Sequence, residues 1–401
     1  MTTFLLLRGR AADIYPHNLI PEIRESSNTI KIHTSYTGQI VASATLNRGE
    51  RRNKDSRAEV DYLNGVGELT WMPQHNIAVF LKYRHFDHDV DNPDTVSITG
   101  TGLGNTYTYA VRPSLSTERD VISTALRYRP VNNLTLRAEY SWEEIDRKNS
   151  DKWNLPGKTN KNTFTLSATT RPLKRLNLKA FYTHKEIDNP AYNYEPDISN
   201  QAKLTATWNT TPELTFFGTY SLTRDRRGDL GNQLSEGERS ADRDMIMGNM
   251  TYMILKDLSF TAGYAYFRNE VKQDIKYRQL VGGALGTALN DRGVPYKDTI
   301  DNFYIALSYI KNRFNLNGHV SYTISEGKFS PNITEALQPA SIALFSKLKV
   351  YETETSIWGE YEVTKGWWVG LRYEYNNFDD KIDSSYDSRV HMTFLTISKR
   401  W

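Results

Sequence analysis

The chain has 401 residues, with 50 lysines and arginines against 47 aspartates and glutamates, and it contains no cysteine. The near balance of charge does not favour nucleic acid as a partner, and the lack of cysteine excludes disulfides, thiolate metal sites and covalent haem attachment by this chain. No apolar run approaches the roughly 18 residues that a membrane helix needs.

Residues 1–36 are predicted to precede the folded region, either as a periplasmic segment or as the remainder of earlier strands. The only apolar run in this segment, Phe4 to Leu7, is shorter than the apolar core of an export signal. We therefore expect that the natural start lies upstream or that an export signal has been removed. The alternative is a cytosolic protein.

A short phrase with a period of two residues recurs seven times: apolar residues alternate with mostly polar ones, and the phrase usually ends in tyrosine. This period is that of a strand and not of a helix. Each phrase follows a tight turn and precedes a long polar stretch, which is typical of membrane β-barrels. The seven phrases begin at Ile77, Leu134, Leu176, Leu214, Leu258, Phe314 and Trp367.

Pairing each phrase with the strand before it predicts seven hairpins. A further strand at about 37–47 and a last strand at about 389–401 raise the total to sixteen. An even count allows the first and last strands to pair antiparallel and close the sheet. The sequence thus predicts an all-β transmembrane antiparallel barrel over residues 37–401, with short periplasmic turns and long extracellular loops. The predicted first strands of the hairpins are 58–71, 119–129, 162–171, 199–209, 243–254, 300–311 and 350–362.

The predicted loops lie at roughly 89–118, 148–160, 187–198, 226–242, 271–298, 326–347 and 378–388. Aromatic side chains recur at both ends of the predicted strands, as expected for girdles at the two membrane surfaces. They include Trp71, Tyr128, Trp208, Tyr252, Tyr309 and Tyr361 at one end, and Tyr140, Trp142, Tyr264, Tyr266, Tyr373 and Tyr375 at the other.

Alternation also predicts which side chains face the interior, where a partner or a solute would be contacted. These residues carry charges of both signs, which is consistent with a hydrated interior without a specific ligand, with an ion-selective pore, or with a surface that holds a partner. The predicted interior residues are Lys82, Arg84, Arg127, Arg129, Arg137, Glu139, Glu143, Lys179, Lys203, Glu354, Glu360, Arg372 and Glu374.

The search for catalytic and metal sites identifies none. His85 and His88 are three residues apart on a strand, so they point to opposite faces and cannot chelate one ion without a bend. The glycine-rich stretch 100–105 lacks the strand–helix context of a nucleotide site. Acidic segments around Asp87 and Asp379 lack the spacing of an EF-hand. We therefore predict no enzyme activity, no cofactor and no metal in this chain.

Several short motifs resemble the MtrB/PioB family of outer-membrane barrels. They are Phe80-Leu81-Lys82-Tyr83-Arg84 followed by Asp91-Asn92-Pro93, the similar Ile187-Asp188-Asn189-Pro190, and Leu-x-Leu-x-Ala-x-Tyr strands after the Arg-Pro turns at 129–130 and 171–172. The resemblance covers about residues 37–401. Many members of the family are longer, and some carry an N-terminal Cys-x-x-Cys that is absent here.

The resemblance implies a function in extracellular electron transfer. Barrels of this family belong to porin–cytochrome conduits, in which the barrel sheathes a periplasmic multihaem cytochrome that passes electrons to an outer-surface cytochrome. The expected partners are therefore the outer-membrane bilayer and these cytochromes, with haem only in the partners and no nucleic acid. The alternative is a general or solute-selective diffusion porin. A barrel enzyme is a third class, for which the sequence offers no site.

Overall fold

The computed structural model describes residues 22–34, 38–54, 57–99, 106–192, 194–228, 237–281, 284–331 and 347–400. Within these ranges the regular structure consists of nineteen β-strands and two single-turn 3-10 segments, with no α-helix. The strands are β1 Ile23–His33, β2 Ile40–Asn53, β3 Glu59–Gln74, β4 Ile77–Asp91, β5 Thr95–Thr99, β6 Thr106–Ala110, β7 Ser116–Val131, β8 Leu134–Lys148, β9 Lys158–Leu173, β10 Leu176–Asp188, β11 Ile198–Asn209, β12 Leu214–Arg227, β13 Arg239–Leu255, β14 Leu258–Val281, β15 Ala284–Lys311, β16 Phe314–Phe329, β17 Leu348–Thr364, β18 Trp367–Asp380 and β19 Ser388–Lys399.

Seventeen of these described strands form one sheet, and β5 and β6 form a separate hairpin. The predicted all-β antiparallel fold is confirmed, and all seven strands that carry the repeated phrase begin at the predicted residue. Six of the seven hairpins have two-residue turns, and each of these turns contains only polar residues, histidine or glycine. The turn between β15 and β16 uses Asn312 at φ 54°, a conformation that asparagine tolerates.

The strand count differs from the predicted sixteen because Ile23–His33 forms an additional strand, β1, that pairs with β2 from Ile23↔Asn53 to His33↔Ser43. Only Ile30 and Ile32 supply an apolar face there, which is too short a pattern to stand out in the sequence. The count in the sheet is thus odd, and the argument from an even count no longer supports closure. Pairing of the first and last strands stays a prediction. Residues 1–21 and Trp401 lie outside the described residues.

Four predicted loops contain regular structure instead, one of them being 378–388, in which Ser384–Tyr386 forms a 3-10 turn. The stretch 271–298 is not a loop: it is the continuation of β14 and β15, which pair from Leu258↔Tyr309 to Val281↔Ala284 with two register shifts. The described part of the stretch 89–118 contains the β5–β6 hairpin, and residues Ser150–Trp153 form a 3-10 turn. The glycine-rich stretch 100–105 lies outside the described residues.

The chain divides into two compact units. The first comprises residues 1–127, 139–163 and 187–192, and thus contains β1–β6. The second comprises residues 128–138, 164–186 and 193–401, and thus contains β11–β19. Within the second unit each strand from β10 to β18 pairs antiparallel with the strand that follows it in sequence.

Candidate functional site

The strand registers define two chemically distinct faces of the sheet. We call the face that carries the repeated phrase the apolar face and the opposite one the polar face. On the apolar face Leu176 lies opposite Trp208, Leu214 opposite Tyr252, and Phe314 opposite Tyr361. Leu204 and Leu371 on this face expose 49% and 56% of their surface. So many exposed apolar side chains would be unfavourable in water, whereas contact with lipid accounts for them.

A recurring hydrogen bond marks one edge of the apolar face. Five of the seven phrase tyrosines contact a polar residue on the next strand: Tyr83 with Asp120 (2.6 Å), Tyr140 with Asn162 (2.7 Å), Tyr182 with Asn200 (2.7 Å), Tyr264 with Asp301 (2.5 Å) and Tyr373 with His391 (2.8 Å). Where the register is known, the partner is the diagonal neighbour and not the residue directly opposite: Tyr182, for example, lies opposite Ala202. A ring in an apolar layer with its hydroxyl in a polar one is the arrangement expected at a membrane surface.

The alternation of each strand places all the predicted interior residues on the polar face. Whether they contact a partner or a solute stays a prediction. Several are engaged with neighbours on that face. Lys82 pairs with Glu68, and Arg372 pairs with Glu374. Glu360 accepts a hydrogen bond from Nη2 of Arg400 at 2.7 Å. The remaining predicted residues on this face are Arg84, Arg127, Arg129, Arg137, Glu139, Glu143, Lys179, Lys203 and Glu354.

Two arginines of the polar face contact neighbouring strands through their guanidinium groups. The guanidinium of Arg127 lies over the ring of Phe80, 5.6 Å from its centroid. Arg119, which the sequence analysis did not single out, donates from Nη2 to Oε2 of Glu143 at 3.1 Å. These contacts lie within the first unit. Alternation alone gives the face of a side chain but not its partner, which depends on the register across a long connection.

Among the residues that the structure describes, five predicted cations of the polar face have no ion-pair partner within 4.0 Å, and four of these also make no cation–π contact, unlike Arg127. These four are Arg84, Arg129, Lys179 and Lys203. Lys179 lies opposite Thr205, and Lys203 lies opposite Phe181, so the two lysines are diagonal neighbours on adjacent strands. Like charges at this spacing repel each other, and an anion placed between them would relieve that repulsion.

The polar face of β17 and β18 has the opposite sign. Glu354 lies opposite Asn376, and Ser356 lies opposite Glu374, so Glu354 and Glu374 are diagonal neighbours. Glu374 is paired with Arg372, whereas Glu354 has no ion-pair or hydrogen-bond partner in the described part of the chain. Within the second unit the polar face therefore carries a cationic pair at β10–β11 and an acidic pair at β17–β18.

The two histidines of β4 lie on opposite faces, as predicted. His88 contacts the ring of Tyr62 on the polar face, with centroids 6.1 Å apart. His85 lies on the apolar face, where its Nδ1 is 2.9 Å from Oδ1 of Asp120. His85, Asp120 and Glu118 bring three potential metal ligands within 4.8 Å of one another. The spacing along the sequence could not reveal this group, because its members come from β4 and β7.

Within the described ranges, no helix is long and apolar enough to cross a membrane.

A search of curated proteins finds no match to the chain. Among solved structures, the chain is similar to the ferric citrate transporter FecA in its unliganded form, at 8% identity and a TM-score of 0.50, over 95% of this chain and 61% of that one. It is also similar to the alcaligin outer-membrane receptor FauA from Bordetella pertussis, at 12% identity and a TM-score of 0.48, over 94% of this chain and 63% of that one. The chain thus spans about three fifths of the length of these structures. At these identities the likeness to FecA concerns the fold alone.

The family comparison covers most of the chain. Residues 26–396 match the family described as outer membrane beta-barrel porin, MtrB/PioB. This range contains the seven repeated phrases and the apolar face with its tyrosine edge, and the match places the protein in the bacterial outer membrane. The chain belongs to the MtrB/PioB family of outer-membrane β-barrel porins.

Proposed function

We propose that the protein sheathes and positions a multihaem c-type cytochrome, so that electrons cross the outer membrane through the haems of the partner. The family to which the chain belongs supports this proposal, because the resemblance noted in the sequence implies a porin–cytochrome conduit. The chain has no cysteine to attach haem, so its own contribution is insulation and placement of the partner. This role needs no catalytic residue.

The observation that carries the proposal is the cationic pair Lys179 and Lys203 on the polar face. Two adjacent lysines that form no ion pair within 4.0 Å in the described part of the chain make a surface that favours an anionic group, such as a carboxylate of a partner protein or of a haem edge. Charged contacts of this kind set register and partner choice more than raw affinity. The acidic pair Glu354 and Glu374 would in turn favour a cationic part of the same partner.

The experiment reconstitutes the protein in liposomes that contain a redox dye, with and without a co-purified multihaem cytochrome. An impermeant external donor should reduce the dye only when the cytochrome is present. The variant K179E/K203E should lower the amount of cytochrome that co-purifies by about tenfold, since it reverses both charges. The matched control is K174E, a reversal in the two-residue turn before β10, outside the polar face. It should retain the cytochrome.

The alternative function is that of a diffusion porin for hydrophilic solutes. If no haem protein co-purifies and the protein alone passes small sugars or amino acids into liposomes, the proposed function as a cytochrome sheath is wrong. The function as a diffusion porin is then the better one. If both lysine and control variants lose the cytochrome equally, the contact does not involve the polar face of β10 and β11.

A further inference from the structure

A cluster of cations lies on the apolar side of the sheet, beyond the tyrosine edge. We call this cluster the cationic patch and define it as Arg224 and Arg226 of β12 with Arg268 and Lys272 of β14. On β12 the apolar face continues from Tyr220 through Leu222 to Arg224 and Arg226. On β14 it continues from Tyr264 through Tyr266 to Arg268, Glu270 and Lys272. The patch belongs to the second unit.

The depth of the patch matches the layer of lipid headgroups. Arg224 lies four residues beyond Tyr220, about 13 Å along the strand at a rise of about 3.3 Å per residue. A strand tilt of about 40° reduces this to roughly 10 Å along the membrane normal. If the tyrosine rings mark the boundary of the hydrocarbon layer, the patch lies among the headgroups on the side of the long connections.

The carboxylates of the patch lie beneath its cations. Arg224 pairs with Asp244 at 2.7 Å, Arg226 with Asp242 at 2.6 Å, and Glu270 is shared by Arg268 at 2.5 Å and Lys272 at 3.1 Å. Four cations thus face three carboxylates. In each pair the cation is the more exposed group, with side-chain exposures of 34% against 17%, 51% against 34%, 40% against 16% and 54% against 16%. The surface that a ligand meets is therefore positive.

The guanidinium groups retain donors for a further anion. A guanidinium has five N–H donors in a planar fork that fits phosphate oxygens. Among the described residues, Arg224 uses three of them on Asp244 and on the carbonyls of Thr223 and Arg243, and Arg226 uses three on Asp242 and on its neighbouring carbonyl, so each guanidinium keeps two donors. An open cavity of about 930 Å³ adjoins the patch, and both Arg226 and Lys272 line it. The same cavity is lined by Arg227, Arg239 and Arg292 and by three carboxylates, Asp197, Glu238 and Asp274, so five cations face three carboxylates. It has the size of a small-molecule site and offers room for a headgroup rather than for a single ion.

We propose that the cationic patch binds the phosphate groups of a phosphorylated lipid in the outer leaflet of the outer membrane. The position decides in favour of a lipid over a protein, because the patch lies on the membrane-facing side directly beyond the tyrosine edge. A cluster of lysines and arginines at the membrane surface attracts anionic lipid headgroups. This inference does not depend on the cytochrome, since it concerns the opposite face of the sheet.

The test uses the delipidated full-length protein in detergent, with diphosphoryl lipid A as the probe and native mass spectrometry as the readout. The wild-type protein should retain diphosphoryl lipid A better than the monophosphoryl form. The variant R226Q/K272Q should weaken this retention by about tenfold. The matched control is R243Q, which removes the pair between Arg243 and Asp225 on the polar face of the same strand pair, β12 and β13. It should retain the lipid as the wild type does.

Three outcomes would overturn the proposal. The first is equal retention by wild-type protein and R226Q/K272Q. The second is an equal loss in R243Q, which would point to a general defect of the strand pair β12–β13. The third is displacement of the lipid by millimolar inorganic phosphate, which would indicate a site for free anions. Circular dichroism and heat-dependent gel mobility of all variants check that each is folded.

Discussion

The hydroxyl of Tyr182 donates a hydrogen bond to Oδ1 of Asn200 at 2.7 Å, although the residue directly opposite Tyr182 is Ala202. The bond therefore runs diagonally, toward the end of the strands that carries the long connections. Nδ1 of His184 also lies 2.8 Å from the same oxygen. Because the diagonal tyrosine contact recurs along the sheet, it is a property of the fold and not of one strand pair.

The first prediction concerns this contact. The substitution Tyr182→Phe should lower the free energy of unfolding by about 0.5–1.5 kcal/mol, the usual contribution of one hydrogen bond. The matched control is Tyr220→Phe, because Tyr220 occupies the same place in its phrase but has no hydrogen-bond partner among the described residues. Urea titration in detergent micelles measures both variants. Equal losses would mean that the hydroxyl contributes nothing through Asn200.

The second prediction tests the assignment of the two faces. The substitution Ala138→Arg should impair assembly, because an arginine in the middle of the lipid-facing surface costs about 2–4 kcal/mol. Arg137→Ala, one residue away on the polar face, should assemble far better. Heat-dependent gel mobility after refolding into lipid vesicles measures the folded fraction. The reverse order of the two variants would exchange the apolar and polar faces.

The third prediction concerns the repulsion between Lys179 and Lys203. The substitution Lys203→Gln should leave the stability of the isolated protein unchanged or slightly raise it, because it removes a like-charge neighbour. The same variant should bind an anionic partner more weakly. Urea titration of the protein alone and co-purification of the cytochrome are compared. A destabilised protein with unchanged partner binding would show that Lys203 serves the fold instead.

The fourth prediction concerns the turn between β17 and β18. Gly366 has a φ of +79°, and a Cβ atom there would come within 2.6 Å of the carbonyl oxygen of Arg400. The substitution Gly366→Ala should therefore lower the free energy of unfolding by about 1–2 kcal/mol, because alanine disfavours the left-handed conformation, and the clash should lower it further. Gly38→Ala is the control, because Gly38 has a φ of +82° with no atom within 4 Å of the added Cβ. Urea titration should find Gly366→Ala the less stable variant, and equal stability would contradict the close approach of Arg400.

The fifth prediction concerns two polar-face tyrosines that lie over glycines on the neighbouring strand. Added Cβ atoms at Gly49 and Gly263 would come within 2.3 Å of atoms of Tyr62 and Tyr304. The substitution Gly263→Ala must therefore displace the ring of Tyr304, at a cost of about 1–3 kcal/mol. Thermal unfolding of Gly263→Ala is compared with that of G263A/Y304A. Further destabilisation in the double variant, instead of partial recovery, would contradict this packing.

The sequence predicted the hairpins well because their signal is local. A period of two residues, a two-residue turn and a tyrosine at a fixed place are all read within about ten residues, and all seven phrase strands begin where predicted. The strand β1 escaped prediction because only Ile30 and Ile32 form its apolar pattern. The stretch 271–298 was predicted as a loop because it is polar. A strand beyond the membrane needs no apolar face, so polarity alone does not distinguish such a strand from a loop.

The candidate site was predictable only in part. Alternation gives the face on which Lys179 and Lys203 lie, but their proximity depends on the register between β10 and β11, which the long connection between these strands obscures. The pairs of the cationic patch were missed for a different reason. Interior function is expected on the polar face, whereas the arginines of β12 and β14 lie on the apolar side, where charge is not expected from the alternation.

The paired extension of β14 and β15 also makes this protein a convenient object for imaging. Beyond Gln273, where the described pairing of β14 with β13 ends, β14 and β15 pair with each other as far as Val281, over eight residues of β14 or about 26 Å at the usual rise. A two-stranded arm of that length carries an epitope beyond the ends of the neighbouring strands β13 and β16. An antibody fragment raised against its tip would serve as a fiducial in electron micrographs and would report, on intact cells, which side of the membrane the long connections occupy.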